Sequence, residues 1–212
     1  ILTMQISSSS FVDQQEIAEH NCFGIRSATQ HVELGANKNP DLRWSGLPEG
    51  TRTLALICVD SDVPTKPDDV NQEGRSVPAD LPRTNFYHWV MVDIPPEITH
   101  IAEGTCSDGI TARGKQSPHG PAGSRQGVND YTSWFSGDPD MGGTYLGYDG
   151  PCPPWNDELV HHYHFIVYAL DLERCPVGEG FTGPQVEAAI ADHILAEARI
   201  TGTYSLNPAL RG

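Results

Sequence analysis

Three short segments carry the side chains best suited to chemistry. The first is Val59-Asp60-Ser61-Asp62-Val63-Pro64, two carboxylates directly after an apolar run and just before a proline. The second is Tyr87-His88-Trp89-Val90. The third is Gly150-Pro151-Cys152-Pro153-Pro154, followed by His161-His162-Tyr163-His164-Phe165. Taken singly, His88 and His161 read as hydrogen-bonded core histidines. Together with Asp60 they suggest a cluster, because strand ends are where loops build sites. Two imidazoles and a carboxylate suit an oxyanion such as phosphate: protonated imidazoles donate charge-assisted hydrogen bonds, and Asp60 orients or protonates one of them. Backbone N–H groups of the Gly150–Pro154 turn would add donors.

Other chemistry fits less well. Asp60 with His88 or His161 could form an acid–base pair acting on a phosphate ester or acyl substrate. The nucleophile such an enzyme needs is missing, since no serine sits in a strained elbow and prolines flank Cys152. The motifs GxSxG, HExxH, GxxxxGK[ST] and GxGxxG are absent. A divalent metal on Asp60, His88 and His161 is a weaker alternative. His162 and His164 share a strand face, but spacing shows no third ligand, so they read as hydrogen-bonded strand histidines. Asp138 and Asp140 read as a turn, because Gly142 stands where a calcium loop wants another oxygen ligand. No metal and no cofactor is expected.

These residues need strands to position them. Thr53 to Val59 is apolar on both faces, the pattern of a central strand covered on both sides. Phe86 to Ile94 is a second strand; alternation puts Phe86, His88, Val90, Val92 and Ile94 on one face. His161 to Leu170 is a third, with His161, Tyr163, Phe165, Val167 and Ala169 on one face and His162, His164, Ile166, Tyr168 and Leu170 on the other. One helix is predicted, Gly183 to Ile200, with Pro184 in its first turn, an apolar stripe at Val186, Ile190, Ile194 and Ala198, and Gly202 ending it. Residues 1–20 read as a polar arm or edge strand, and 65–84 and 115–148 as long loops. The fold class is mainly β (α+β), in a single domain over 1–212.

Composition agrees. The chain has 212 residues, with 21 glycines and 17 prolines, normal for a turn-rich β protein. A formal charge of -15 argues against nucleic acid or an anionic membrane surface as main partner. The longest apolar run, Leu54 to Val59, is far shorter than the ~20 residues a membrane-spanning helix needs. Five cysteines leave at least one thiol free unless it pairs with another chain, and a homodimer is compatible with all of this. Cys58 reads as a buried thiol. The compartment is open, with the cytoplasm preferred over a periplasmic or secreted setting.

The same segments carry a resemblance. Asp60-Ser61-Asp62-Val63-Pro64 is similar to the DPDAP motif of the phosphatidylethanolamine-binding protein family, also called the Raf kinase inhibitor protein family. Tyr87-His88-Trp89-Val90 resembles its HW strand, and Gly150–Pro154 with His161–Phe165 resembles the GPCPP…HRYxF segment of its bacterial and archaeal branch. Asn39-Pro40-Asp41-Leu42-Arg43-Trp44, Asn129-Asp130-Tyr131 and Tyr168-Ala169-Leu170-Asp171 extend the match, which runs from about residue 35 to 205. The set is highly specific, though no single piece is.

The resemblance implies a large antiparallel sheet packed on a smaller one, with a helix near the C-terminus. It implies a small anion pocket for phosphate, acetate or a phosphoethanolamine head group, lined by Asp60, His88, Gly150, Cys152 (through its backbone), His161 and Tyr163, with Asp62 and Pro64 shaping the loop. It implies binding rather than catalysis, as a head-group binder or a regulator of a protein partner whose identity stays open. Ser61 departs from the motif's proline and His162 from its usual arginine; alternation places His162 opposite His161, which should leave the pocket intact. The long loops would cover the pocket or present a partner surface.

Overall fold

The computed structural model describes residues 3–210. In chain order the elements are β1 (Gln5–Ser7), β2 (Gly24–Ile25), β3 (Glu33–Leu34), β4 (Leu42–Ser45), β5 (Thr53–Pro64), β6 (Arg83–Ile94), β7 (His100–Ile101), β8 (Arg125–Gln126), α1 (Tyr131–Trp134), β9 (His161–Leu170), α2 (Gly183–Ile190) and β10 (Ile194–Tyr204), with short 3-10 turns at Glu19–Asn21 and Pro208–Leu210. A five-stranded antiparallel sheet has the order β10-β9-β5-β6-β8. A smaller three-stranded sheet, β1-β4-β7, packs on one of its faces.

The double-sided apolar pattern of β5 has its cause in this layering. Leu54, Leu56 and Cys58 point toward the small sheet and meet Leu42, Trp44, Trp89 and Phe165. Ala55, Ile57 and Val59 point the other way, under α2, and meet Val90, Val92, Ile166, Val186 and Ile190. A strand buried on both faces has no polar positions to alternate. In β9 the alternation holds: Tyr163, Phe165, Val167 and Ala169 enter the first core, while Ile166 and Leu170 enter the second.

Two expectations fail. The predicted helix stops at Ile190; the chain turns and returns as β10, paired along β9 from Ile194↔Leu170 to Tyr204↔His161. The pattern misled because residues four apart share a strand face as well as a helix face. Ala198 and Ile200 pack in the first core. Gly202 does not cap a helix: it lies opposite Tyr163 in β10, where a Cβ would come within 2.3 Å of Ile17 Cγ1.

The second failure is in β6. Val90 and Val92 lie in the core under α2, whereas Trp89 and Met91 lie in the other one. Strict alternation breaks because Cys58 pairs with Trp89 but Val59 pairs with Tyr87, which leaves His88 as the extra residue of a β-bulge. A second shift, between Asp60↔Phe86 and Val63↔Thr84, puts the extra residue of β5 at Ser61–Asp62. Bulges bend the strand and re-aim side chains.

The N-terminal segment is both edge strand and cover. β1 pairs with β4, and the chain then runs along the edge of β10, with Gln14 N–H donating to Thr201 O and Ile17 N–H to Thr203 O. It is less polar in effect than its composition suggests, since Phe11 and Ile17 are buried. The 65–84 loop has no helix or strand before β6 begins at Arg83, whereas the 115–148 stretch holds β8 and α1.

Candidate functional site

The two bulges and the start of β9 meet at one end of the large sheet, around a cavity of about 290 Å³. Asp60 from β5, His88 from β6, and His161 and Tyr163 from β9 line it, as do Cys152 and Pro64. The walls are largely aromatic and apolar: Phe23, Phe86, Tyr131 and Phe135, Val63 from the end of β5, and Pro67 and Val70 from the 65–84 loop. Trp134 stands at the wall and is 49% exposed. The other loop aromatics go elsewhere: Tyr145 is fully buried against Tyr131 and Phe135, and Trp155 stacks on His31.

His161 is fully buried, and both ring nitrogens are engaged. Nδ1 lies 2.6 Å from Asp60 Oδ2, and Nε2 lies 2.7 Å from Asp157 Oδ2. Burial opposes its charge, but Asp60 and Asp157 outweigh that and push its pKa up to about 9. Asp157 is in turn gripped by Arg83, with Nη1 at 2.6 Å and Nη2 at 3.0 Å, and accepts from the Leu159 N–H. Burial works against the Asp157 carboxylate, yet His161, Arg83 and Leu159 hold its pKa below the usual carboxylate range. His161 is therefore a charge locked in a network rather than a free donor to a ligand.

His88 is the opposite case. Its Nδ1 lies 2.8 Å from the Asp149 carbonyl, so it donates there and leaves the Nε2 lone pair with no protein partner among the described residues. Burial, aided by the nearby His161, lowers its pKa, while Asp60 and Asp149 pull the other way. An uncharged His88 follows at neutral pH. The Asp149 segment beneath it is pinned by Lys115, Asn37 and Asn129, which all donate to the Asp149 carboxylate.

Tyr163 has a buried hydroxyl with no hydrogen-bond partner among the described residues. A buried unsatisfied O–H is costly and calls for an explanation, of which a ligand atom is one. Asp62 ties the loop to both strands: its N–H donates to Asp60 Oδ1, and its carboxylate accepts from the His162 backbone N–H and faces the His162 ring. His162 lies on the face opposite His161, about half-exposed, and Ser61 sits 3.0 Å from His164 Nε2.

Gly150 is placed differently from the expectation. Its N–H donates to Asn37 Oδ1 at 2.7 Å, its carbonyl accepts from the Tyr131 hydroxyl at 2.5 Å, and it does not reach the cavity wall. A Cβ there would lie 2.2 Å from the Asn21 carbonyl, so the residue serves close backbone packing. Cys152 does line the cavity, and burial pushes its thiol up to about 12, far from a reactive thiolate. All five cysteines are free thiols, Cys58 fully buried among them. Among the described residues no three His, Cys, Asp or Glu side chains are arranged to hold a metal ion.

Arg83 and Asp157 were not singled out by sequence reasoning. Arg83 ends a proline-broken stretch and Asp157 precedes β9 in an irregular segment, so neither belongs to a periodic pattern. The available signal was the Asp157–His161 spacing, which carries no geometric meaning in an extended chain.

Comparison with known proteins agrees with this architecture. Residues 7–205 match the family model described as phosphatidylethanolamine-binding protein. The chain is 31% identical to the UPF0098 protein YbcL of Escherichia coli (strain K12), over 86% of this chain and 82% of that protein. It is 36% identical to a UPF0098 protein of Methanothermobacter thermautotrophicus, over 80% and 84%. The crystal structure of E. coli YbcL, described as a new member of the mammalian PEBP family, superposes with a TM-score of 0.66 at 28% identity, covering 95% of this chain and 98% of that one. A putative PEBP homolog from Chlamydia trachomatis, CT736, gives 0.64 at 26% identity, covering 97% and 99%. The chain belongs to the phosphatidylethanolamine-binding protein family.

Proposed function

We propose that this protein is a non-enzymatic binding protein whose cavity takes a small anion, phosphate or a phosphoethanolamine-like head group, and that it serves as a regulator or inhibitor of a protein partner. The observation that carries the reading is a Tyr163 hydroxyl and a His88 Nε2 that both lack a partner among the described residues, on two rings 5.3 Å apart that line a mostly apolar cavity. A ligand oxygen accepts from Tyr163. His88 donates to a second oxygen once it takes up a proton, which an arriving anion favours. The surrounding low-polarity walls strengthen both bonds.

Electrostatics limits the affinity. Two carboxylates and two cations, Asp60, Asp157, His161 and Arg83, cancel one another, and the chain as a whole is strongly acidic. The anion is held by local donors against the global field. A hydrolase built on Asp60 with His88 or His161 is disfavoured because both His161 nitrogens are engaged and the Cys152 thiol is held protonated.

Calorimetric titration with phosphate and with phosphoethanolamine, on wild type and His88→Ala, tests the reading. Saturable binding that weakens as pH rises and disappears in the variant is expected. No binding by the wild type between pH 5.5 and 8 would end the anion hypothesis. Truncating His161 is a poor test, because it leaves the buried Asp60 without its cationic partner.

A further inference from the structure

The floor of the cavity contains a proton count that geometry alone constrains. His161 lies between two carboxylate oxygens at 2.6 and 2.7 Å. A neutral imidazole has one N–H and one lone pair, and a lone pair cannot face a carboxylate oxygen at that distance. The triad of Asp60, His161 and Asp157 therefore holds one proton more than a neutral histidine with two carboxylates would. Asp157 is ill-suited to carry it: its Oδ2 already accepts from Arg83 and its Oδ1 from Arg83 and Leu159 N–H. Asp60 accepts from Asp62 N–H through Oδ1. The proton belongs on the ring.

We infer that Asp157, braced by Arg83, is a positioning residue that keeps His161 as a fixed cation, so that His88 is the cavity histidine that changes charge with pH. The inference rests on the cavity being the binding site, but its first test does not. His161 faces Asp60 from β5, Asp157 from the segment before β9, and His88 from β6. His88 faces Asp60, His161 and the Asp149 segment, with the rings of Tyr131 and Tyr163 packed edge-on. Lys115 neutralises Asp149 from behind. Arg83 also donates to the carbonyls of Asp62, Pro78 and Leu81, so it ties the loop that forms the cavity wall to the same carboxylate.

The physical consequence is a division of labour. A locked imidazolium supplies a constant field that discourages a second charge on His88 while the cavity is empty. An anion offsets that field and brings a proton with it. Binding then follows one protonation, and affinity falls about tenfold per pH unit above the His88 midpoint.

Nitrogen-15 NMR of the histidine rings in the unliganded protein tests this directly. Expected in the wild type is a His161 ring with two N–H groups through pH 8, and a His88 ring that loses its second N–H below pH 6.5. In Asp157→Asn, His161 should discharge between pH 6 and 8 and the His88 midpoint should rise. Asp157→Glu should restore a doubly protonated His161. A wild-type His161 with one bare nitrogen at pH 7 would overturn the inference, and that measurement needs no variant to fold. So would Asp157→Asn with His161 still doubly protonated at pH 8, since Asp60 alone would then suffice. Phosphate titration of the same samples separates the two claims: wild type that fails to bind phosphate but shows this titration keeps the histidine assignment and removes the anion reading.

Discussion

The Tyr163 hydroxyl is an expense to the empty fold. It is fully buried and has no hydrogen-bond partner among the described residues. Tyr163→Phe should raise the urea midpoint or leave it unchanged, because removing an unsatisfied group returns up to about 1–3 kcal/mol. The same change should weaken phosphate binding in calorimetry. A destabilised variant with intact binding would show that the hydroxyl has a structural partner instead. His161→Ala should behave in the opposite way. It leaves Asp60 buried without its cationic partner and Asp157 with Arg83 alone, so a loss of about 3–5 kcal/mol in chemical denaturation is expected. Less than 1 kcal/mol would mean that water enters and solvates both carboxylates.

The elements differ in how their patterns resolve. β10 pairs with β9 along its length, and among the described residues the backbone bonds to its other edge come from residues 14–17 at Thr201 and Thr203. Amide hydrogen exchange should therefore alternate along Ala196–Ile200, slow where the N–H points to β9 and fast where it points outward. Uniform protection across that stretch would indicate a helix. Gly202 supplies an independent check at the same element. Gly202→Val forces a side chain into Ile17 and Phe11, and overpacking of this kind costs about 1–3 kcal/mol, read as a lowered denaturation midpoint.

Charge acts on the molecule as a whole. Asp41, Glu103 and Asp157 are held below their ordinary pKa values: burial opposes their charge, but hydrogen bonds to His100, to Ser10, and to His161 and Arg83 outweigh it. A lowered carboxylate adds stability above its unfolded pKa of about 4 and loses it as pH falls. His161 has the reverse sign. Its pKa is raised to about 9, so its contribution is complete below about 6.5 and is lost as pH rises toward 9. His88, lowered chiefly by burial, costs stability as pH drops below about 6.5. Thermal unfolding across pH should show a maximum near neutrality and decline on both sides. A midpoint still rising from pH 7.5 to 9 would contradict the locked imidazolium. The net charge of -15 adds self-repulsion, so raising salt from low to physiological strength should raise the midpoint.

The sequence by itself determined three of the four long strands, the two-sided burial of β5, and the family, because these rest on local period and on residue types in order. Strand ends and turn motifs also suggested that Asp60, His88 and His161 converge, and the family resemblance added Tyr163; the four line one cavity. Three things waited for the tertiary structure. Helix against strand at 191–204 was undecidable because a spacing of four is shared by both periods, and only pairing with β9 chose between them. The aim of His88 depended on a bulge, which is a property of two strands in register and leaves no mark on one strand's sequence. The roles of the polar groups depended on their partners: Gly150 spends its amide on Asn37, and His161 spends both nitrogens on carboxylates, one of them from Asp157. Residue type states what a side chain can donate or accept; only the folded surroundings decide which of those bonds are left for a ligand.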